Sequence, residues 1–337
     1  MKQYFEYYHR NFPKSTIQDY LKLLYQMCFG PKHFFKNPEL PLFFLQEELA
    51  GLKESKFRDN LYDYVGQNFV RVNLRPYRDF GLSLENLVTK FLTSTISDIV
   101  KFDYNNALSD LKTFLTGLFS ESEINAVFQK YLEDGSPAVS HSQIYKDSYF
   151  PAYRLIESRL LDQEMKLLQI QNFISRLPSN QLSIIALEGG SCSGKTTISN
   201  ELSKRENITV IHVDDFFDNS NDKIGINSSR ILEEIIMRAQ PEKPLSYRRF
   251  DCTSGKFIEE DIEMTNILII EGVYSANLSL RKYYNAIIFL EASESEQISR
   301  LKERSNKLFS CFLNEWIPRE KRYFERENVY LDSDLIV

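Results

Sequence analysis

The stretch Ser183-Ile184-Ile185-Ala186-Leu187 runs without a break into Glu188-Gly189-Gly190-Ser191-Cys192-Ser193-Gly194-Lys195-Thr196-Thr197. No other part of the chain narrows the fold as far. An apolar, β-branched run followed by G-x-x-x-x-G-K-[ST] calls for a strand, a tight glycine-rich turn and a helix in succession. Glycines let the backbone turn so that successive N–H groups point at phosphate oxygens. The N-terminus of the following helix adds a partial positive charge there. The candidate nucleotide contacts are therefore Gly189, Gly190, Ser191, Cys192, Ser193, Gly194, Lys195, Thr196 and Thr197. Lys195 is expected to reach the β- and γ-phosphates, and the Thr196 hydroxyl to bind the Mg²⁺ they share. Such a loop specifies nucleotide and metal, not a reaction, because ATPases, GTPases and small-molecule kinases all use it.

Further apolar runs follow at residues 209–213, 267–270 and 286–290, alternating with helical stretches. The pattern predicts a parallel sheet covered on both faces, an α/β doubly wound fold of the P-loop type. Residues 334–337 are a candidate for one more strand. In such sheets ligands sit beyond the carboxyl ends of the strands, which makes the acids there informative. Asp214 and Asp215 end one strand and Glu271 ends another. One aspartate can accept a proton from an attacking hydroxyl while the other orients magnesium-bound water; which does which is left open. Glu271 is a candidate magnesium ligand of the kind a P-loop protein needs. Arg300 and Arg304 lie four apart on one helical face and suit the charge of a transferring phosphoryl group.

Residues 1–177 read differently. Helical periodicity with many aromatics predicts helices at 15–29, closed by Gly30-Pro31, and at 42–52, 84–92, 107–118 and 121–132. Residues 155–177 read as one long helix, and Pro178-Ser179-Asn180 marks a boundary before residues 181–337. This mostly α-helical half carries three polar-aromatic spots without an assignable chemistry. They are Gln26 with His33, Asn73 with Arg75 beside Arg71, and His141 with Tyr145, Tyr149 and Tyr153. Caps and internally satisfied contacts account for each, with Ser140 an expected N-cap.

The net charge of −6 and the lack of a Lys/Arg run argue against nucleic acid or anionic lipid as a partner. Four scattered cysteines without a CxxC pair suggest free thiols in a reducing compartment, not zinc or disulfides. With no apolar leader and no stretch of membrane-spanning length, a cytoplasmic location is expected.

The loop at 189–197, Asp214-Asp215-Phe216-Phe217, Tyr247-Arg248-Arg249-Phe250-Asp251 and Glu271-Gly272-Val273-Tyr274, in that order, resemble the uridine kinase and phosphoribulokinase family of P-loop kinases. Trp316-Ile317-Pro318-Arg319-Glu320 with Tyr323-Phe324 resembles the tail of a bacterial uridine kinase-like subgroup that also carries a helical N-terminal extension. The resemblance implies an ATP- and Mg²⁺-dependent kinase in which Asp214 is the base for a substrate hydroxyl and Arg300 and Arg304 belong to a lid. It implies substrate contacts in the segment of Tyr247, Arg249 and Asp251, with Phe217 and Tyr274 as further candidates. Two segments depart from the pattern. Residues 219–229 are short and polar, with Asp222 but no counterpart of the family's substrate aspartate. The His and Arg that usually follow the central Tyr are replaced by Arg248, Arg249 and Asp251. The expected partner is thus a small molecule bearing a hydroxyl, a nucleoside such as uridine being the first to consider. A homo-oligomer is left open. The alternative is a nucleotide-dependent ATPase or switch with the helical half as output module.

Overall fold

The computed structural model describes residues 1–31, 41–52, 60–96, 103–178, 180–204, 207–218, 225–251, 254–304 and 309–337. His33, Asp222 and the side chain of Arg304 lie outside the described residues. The chain divides into two compact units, Met1–Met165 and Lys166–Val337.

The first unit contains helices α1 (Lys2–Asn11), α2 (Ile17–Phe29), α3 (Pro41–Ala50), α4 (Leu74–Asp79), α5 (Leu84–Thr95), α6 (Tyr104–Leu115), α7 (Glu121–Glu133) and α8 (Gln143–Tyr149). Local chemistry explains their limits. A reciprocal capping box between Thr16 and Asp19 opens α2, and Gly30 closes it. Ser83, Asp103 and Ser120 each accept a backbone N–H at the start of α5, α6 and α7. Apolar faces of α1, α2, α6 and α7 bury Phe5, Tyr20, Leu24, Leu111 and Phe128 in one cluster.

The predicted long helix at 155–177 needs correction. Tyr153–Glu157 is a strand, β3, and pairs antiparallel with β2 (Phe69–Asn73), which also pairs with β1 (Tyr62–Val65). Five residues of mixed polarity fit either period, and the long-range pairing with β2 decides the outcome. Helix resumes only at α9 (Gln163–Ile174), where Asp162 accepts the Met165 N–H.

The three polar spots of this half are largely one buried network. Arg71 on β2 donates from Nε and Nη2 to Gln26 Oε1 at 3.0 and 2.7 Å. Gln26 donates to the Tyr153 hydroxyl at 3.1 Å. The His141 ring lies between Asp19 Oδ1 at 2.9 Å and the Tyr153 hydroxyl at 2.8 Å, stacked on Tyr145. The Arg71 guanidinium also faces the rings of Tyr8 and Tyr153. Ser142, not Ser140, caps α8 and donates to Asp19.

Burial keeps the His141 imidazole far below its usual pKa, hence neutral. Burial works to raise the Asp19 pKa, but hydrogen bonds from His141, Ser142 and Thr16 outweigh it and hold the carboxyl low. Both folded-state values lie below the unfolded ones, so the unfolded chain binds more protons in acid. Stability is therefore expected to fall as pH drops from the ordinary His range toward the ordinary carboxylate range and below. The slope should approach ~1.4 kcal/mol per pH unit where one proton is linked. Thermal melts between neutral pH and pH ~4 check this. The decline should be shallower in His141→Gln, and an equally steep decline would exclude His141 as its source.

The second unit is built on a five-stranded parallel sheet. Its strands are β4 (Ser183–Gly189), β5 (Ile208–His212), β10 (Ile267–Glu271), β11 (Ala286–Leu290) and β12 (Leu335–Ile336), in the order β12-β11-β4-β10-β5. The apolar runs read from the sequence form this sheet, and the terminal run supplies its edge strand. Short β6 (Phe217–Asp218) and β7 (Gly225–Ile226) pair with each other. The segment around Tyr247 is β8 (Pro244–Asp251), paired antiparallel with β9 (Lys256–Glu263). The helices used below are α10 (Lys195–Ser203), α11 (Ser228–Arg230), α12 (Leu278–Arg281), α13 (Glu294–Arg304), α14 (Phe309–Cys311) and α15 (Ile317–Arg326). Among the described residues no helix is long and apolar enough to cross a membrane.

Candidate functional site

Strand β4 delivers the glycine-rich loop at its carboxyl end, and α10 begins at Lys195. The β4 side chains are buried along their whole length, which fixes the root of the loop in the sheet. At that root Glu188 is fully buried and accepts from Gly189 N at 2.9 Å, Ala276 N at 3.0 Å and the Tyr323 hydroxyl at 3.0 Å. Burial pushes its pKa up to about 7. Lys195 is buried, and its Nζ donates to Gly189 O and Gly190 O, each at 2.9 Å.

Parallel register brings the acids to the loop. Glu271 ends β10 beside Leu187 on β4 and beside His212 on β5. Its Oε1 lies 3.4 Å from the Thr196 hydroxyl, and its Oε2 lies 2.6 Å from His212 Nδ1. The Glu271 hydrogen bond raises the His212 pKa. Asp214 follows β5 in a 3₁₀ turn and faces the same cleft as Lys195, Thr196 and Glu271. That cleft holds about 720 Å³ and is also lined by Phe217, Tyr274, Arg300, Phe312, Trp316 and Arg319. Asp215 turns the other way and accepts from the Tyr247 hydroxyl at 2.8 Å. Burial raises its pKa.

The remaining predicted residues divide in the same manner. Gly194, Thr197 and Cys192 line the cleft. Arg300 reaches the loop itself, donating to Cys192 O at 3.0 Å. Tyr274 has φ +74°, an uncommon conformation for a side chain of this size, and its ring meets Tyr323 edge-on. Tyr247 is buried and stacked on Phe216, Arg249 pairs with Glu260 on β9, and Asp251 accepts from Ser254 N. Those three are not among the residues lining the cleft.

Sequence reasoning passed over His212 and Gln297, and gave Glu320 no role beyond its place in the Trp316–Glu320 resemblance. His212 carried one signal, its place one strand position before the acid turn, in register with Glu271. Gln297 belongs to no motif, and the contacts of both Gln297 and Glu320 with the loop come only from how α13 and α15 pack.

Gly272 has φ +146°, and a Cβ there would sit 2.7 Å from Val213 Cβ. Gly272→Ala is therefore expected to lower stability by about 1–3 kcal/mol and to shift the Glu271 carboxylate. A thermal melt with a nucleotide titration checks both; an unchanged melt would show that the backbone can absorb the contact.

Fold and site together define a P-loop nucleotide-binding domain. A family model described as an AAA domain matches residues 185–309. None of the curated proteins searched matches the chain. Among solved structures the chain is similar to one titled "Structure of a Possible Uridine Kinase from Bacillus stearothermophilus", at 17% identity and a TM-score of 0.42, over 52% of this chain and 99% of that one. It is also similar to a "putative fructose transport system kinase" from Silicibacter sp. TM1040, at 20% identity and a TM-score of 0.42, over 51% of this chain and 98% of that one.

Proposed function

We propose that this chain is an ATP-dependent kinase that transfers the γ-phosphoryl group to a hydroxyl of a small molecule. The observation that carries the reading is the convergence of Lys195, Thr196, Asp214 and Glu271 on one cleft. A second carboxylate lining the same cleft is able to accept the proton of a hydroxyl acceptor.

The donors present suit Mg²⁺. The Thr196 hydroxyl and the Glu271 carboxylate are hard oxygen donors facing each other across 3.4 Å. An ion of this kind is commonly held by one or two protein oxygens together with phosphates and water. Such an ion would supply charge neutralisation on the phosphoryl oxygens.

The protein's own groups do the remainder. Lys195 leaves the carbonyls of Gly189 and Gly190 to contact the β- and γ-phosphates. His212 holds Glu271 in place. Asp214 accepts the proton of the attacking hydroxyl, and Arg300 carries positive charge at the loop edge. The Tyr247 hydroxyl bonds to Asp215, which supports Asp214 as the base. Catalysis is then positioning and electrostatics more than covalent chemistry.

The test is ADP release from ATP and Mg²⁺ with a panel of nucleosides, sugars and vitamins, uridine first. Acceptor-dependent release supports the kinase. Release at the same rate with every acceptor and with none would instead establish an ATPase.

A further inference from the structure

The phosphate loop is gripped from outside by one side chain from each of two helices, α13 and α15. Glu320 on α15 is 5% exposed and directs both carboxylate oxygens at one residue. Its Oε2 accepts the Ser191 N–H at 2.8 Å, and its Oε1 accepts the Ser191 hydroxyl. Gln297 on α13 is 8% exposed and donates its amide to Ser191 O at 2.9 Å. The backbone N–H, the backbone carbonyl and the hydroxyl of Ser191 are thus all taken by these two side chains. The grip also accounts for Gly190, where a Cβ would collide with the Gln297 amide.

A carboxylate at this place is unexpected. The loop exists to attract anions, and Glu320 lines the same cleft as Lys195. A negative charge beside bound phosphates costs affinity unless it does something else. Ser191 supplies the reason. Its N–H and O–H are two donors in a half-buried loop, and a carboxylate is the side chain that accepts both at once. Without it, the loop would have to turn these donors inward or toward water, and the N–H groups further along would lose their common direction.

We propose that Glu320, seconded by Gln297, is a positioning residue that holds the phosphate loop in its nucleotide-ready shape through Ser191. The proposal rests on the nucleotide-binding part of the reading above and does not depend on the acceptor. It is therefore tested by binding, not by turnover.

Dissociation constants for ADP and ATP with Mg²⁺ are measured by calorimetry on the full chain and on Glu320→Ala, Glu320→Gln, Ser191→Ala and the Ser191→Ala/Glu320→Ala pair. Loss of Glu320 orphans the Ser191 donors and is expected to weaken both nucleotides roughly tenfold. Glu320→Gln is expected to restore affinity to within about threefold of the original or better, since its amide oxygen still accepts the N–H and its NH₂ can donate to the hydroxyl. The double variant should bind no more weakly than Glu320→Ala alone, because Ser191→Ala removes only the hydroxyl contact that Glu320→Ala has already broken. The proposal fails if Glu320→Ala stays folded and binds within about twofold of the original. It fails equally if the two single losses multiply in the double variant, or if Glu320→Gln is as weak as Glu320→Ala. Should Glu320→Ala prove unfolded by circular dichroism, Gln297→Ala, which removes only the grip on Ser191 O, carries the test with the same limits. Acceptor-independent ADP release would overturn the kinase reading and leave this result untouched.

Discussion

Asp214→Asn should bind ATP as the unaltered protein does and lose acceptor-dependent ADP release by roughly 10²–10⁴-fold. The size follows from what the substitution removes. Asparagine keeps the shape and one acceptor oxygen of Asp214 but has no basicity near neutral pH. The phosphate contacts made by the loop and by Lys195 remain. Asp214 faces the cleft from the turn after β5, so its loss leaves β5 and its pairing with β10 undisturbed. The loss should therefore fall on kcat, with nucleotide affinity changed little. The matching control is Asp215→Asn, whose side chain bonds to Tyr247 instead of facing the cleft. It should cost stability more than turnover. If the two variants exchange behaviours, Asp215 is the base and the assignment made from the turn geometry is wrong.

Lys195→Ala has the second large effect and a different signature. Lys195 is the cation of the loop, buried and held by two loop carbonyls at 2.9 Å. Removing it takes away a donor aimed at charge that grows during transfer, a change that costs roughly 10²–10³ in rate for a single contact. It also leaves Gly189 O and Gly190 O without that donor, so the resting loop should relax. Nucleotide affinity and turnover should fall together, in contrast to Asp214→Asn. Calorimetry on both variants separates the signatures. A Lys195→Ala protein that bound ATP at original affinity and lost only kcat would show that the lysine acts in the transition state alone.

The β4-loop-α10 unit was legible because three local requirements coincide within fifteen or so residues: an apolar run, glycines at fixed places and a lysine at the start of a helix. The acids after β5 and β10 were legible from the rule that parallel strands present their carboxyl ends to ligands. What stayed hidden depends on pairing between distant segments. Tyr153–Glu157 is a strand only because Phe69–Asn73 offers it an edge. Pro244–Asp251 is a strand only because Lys256–Glu263 returns beside it. Arg71, Gln26 and His141 looked like three separate polar spots and share one buried network through Tyr153. Glu320 shows in the sequence only as part of the Trp316–Glu320 stretch, and its two bonds to Ser191 belong wholly to tertiary packing.

The strand order β12-β11-β4-β10-β5 sets a timetable for synthesis. In this sheet β5 pairs with β10, and β10 is the strand that joins it to β4. As the chain emerges, β4 and β5 appear first with nothing to link them. Each presents bare N–H and C=O edges of apolar sequence until Ile267–Glu271 is made and slides between them. The loop, Asp214 and Glu271 meet only at that moment. A ribosome stalled before residue 267 would hold a chain with its phosphate loop already translated and no ability to use it. Such a fragment is expected to be captured by chaperones, and one with residues 267–337 clear of the ribosome to be released from them.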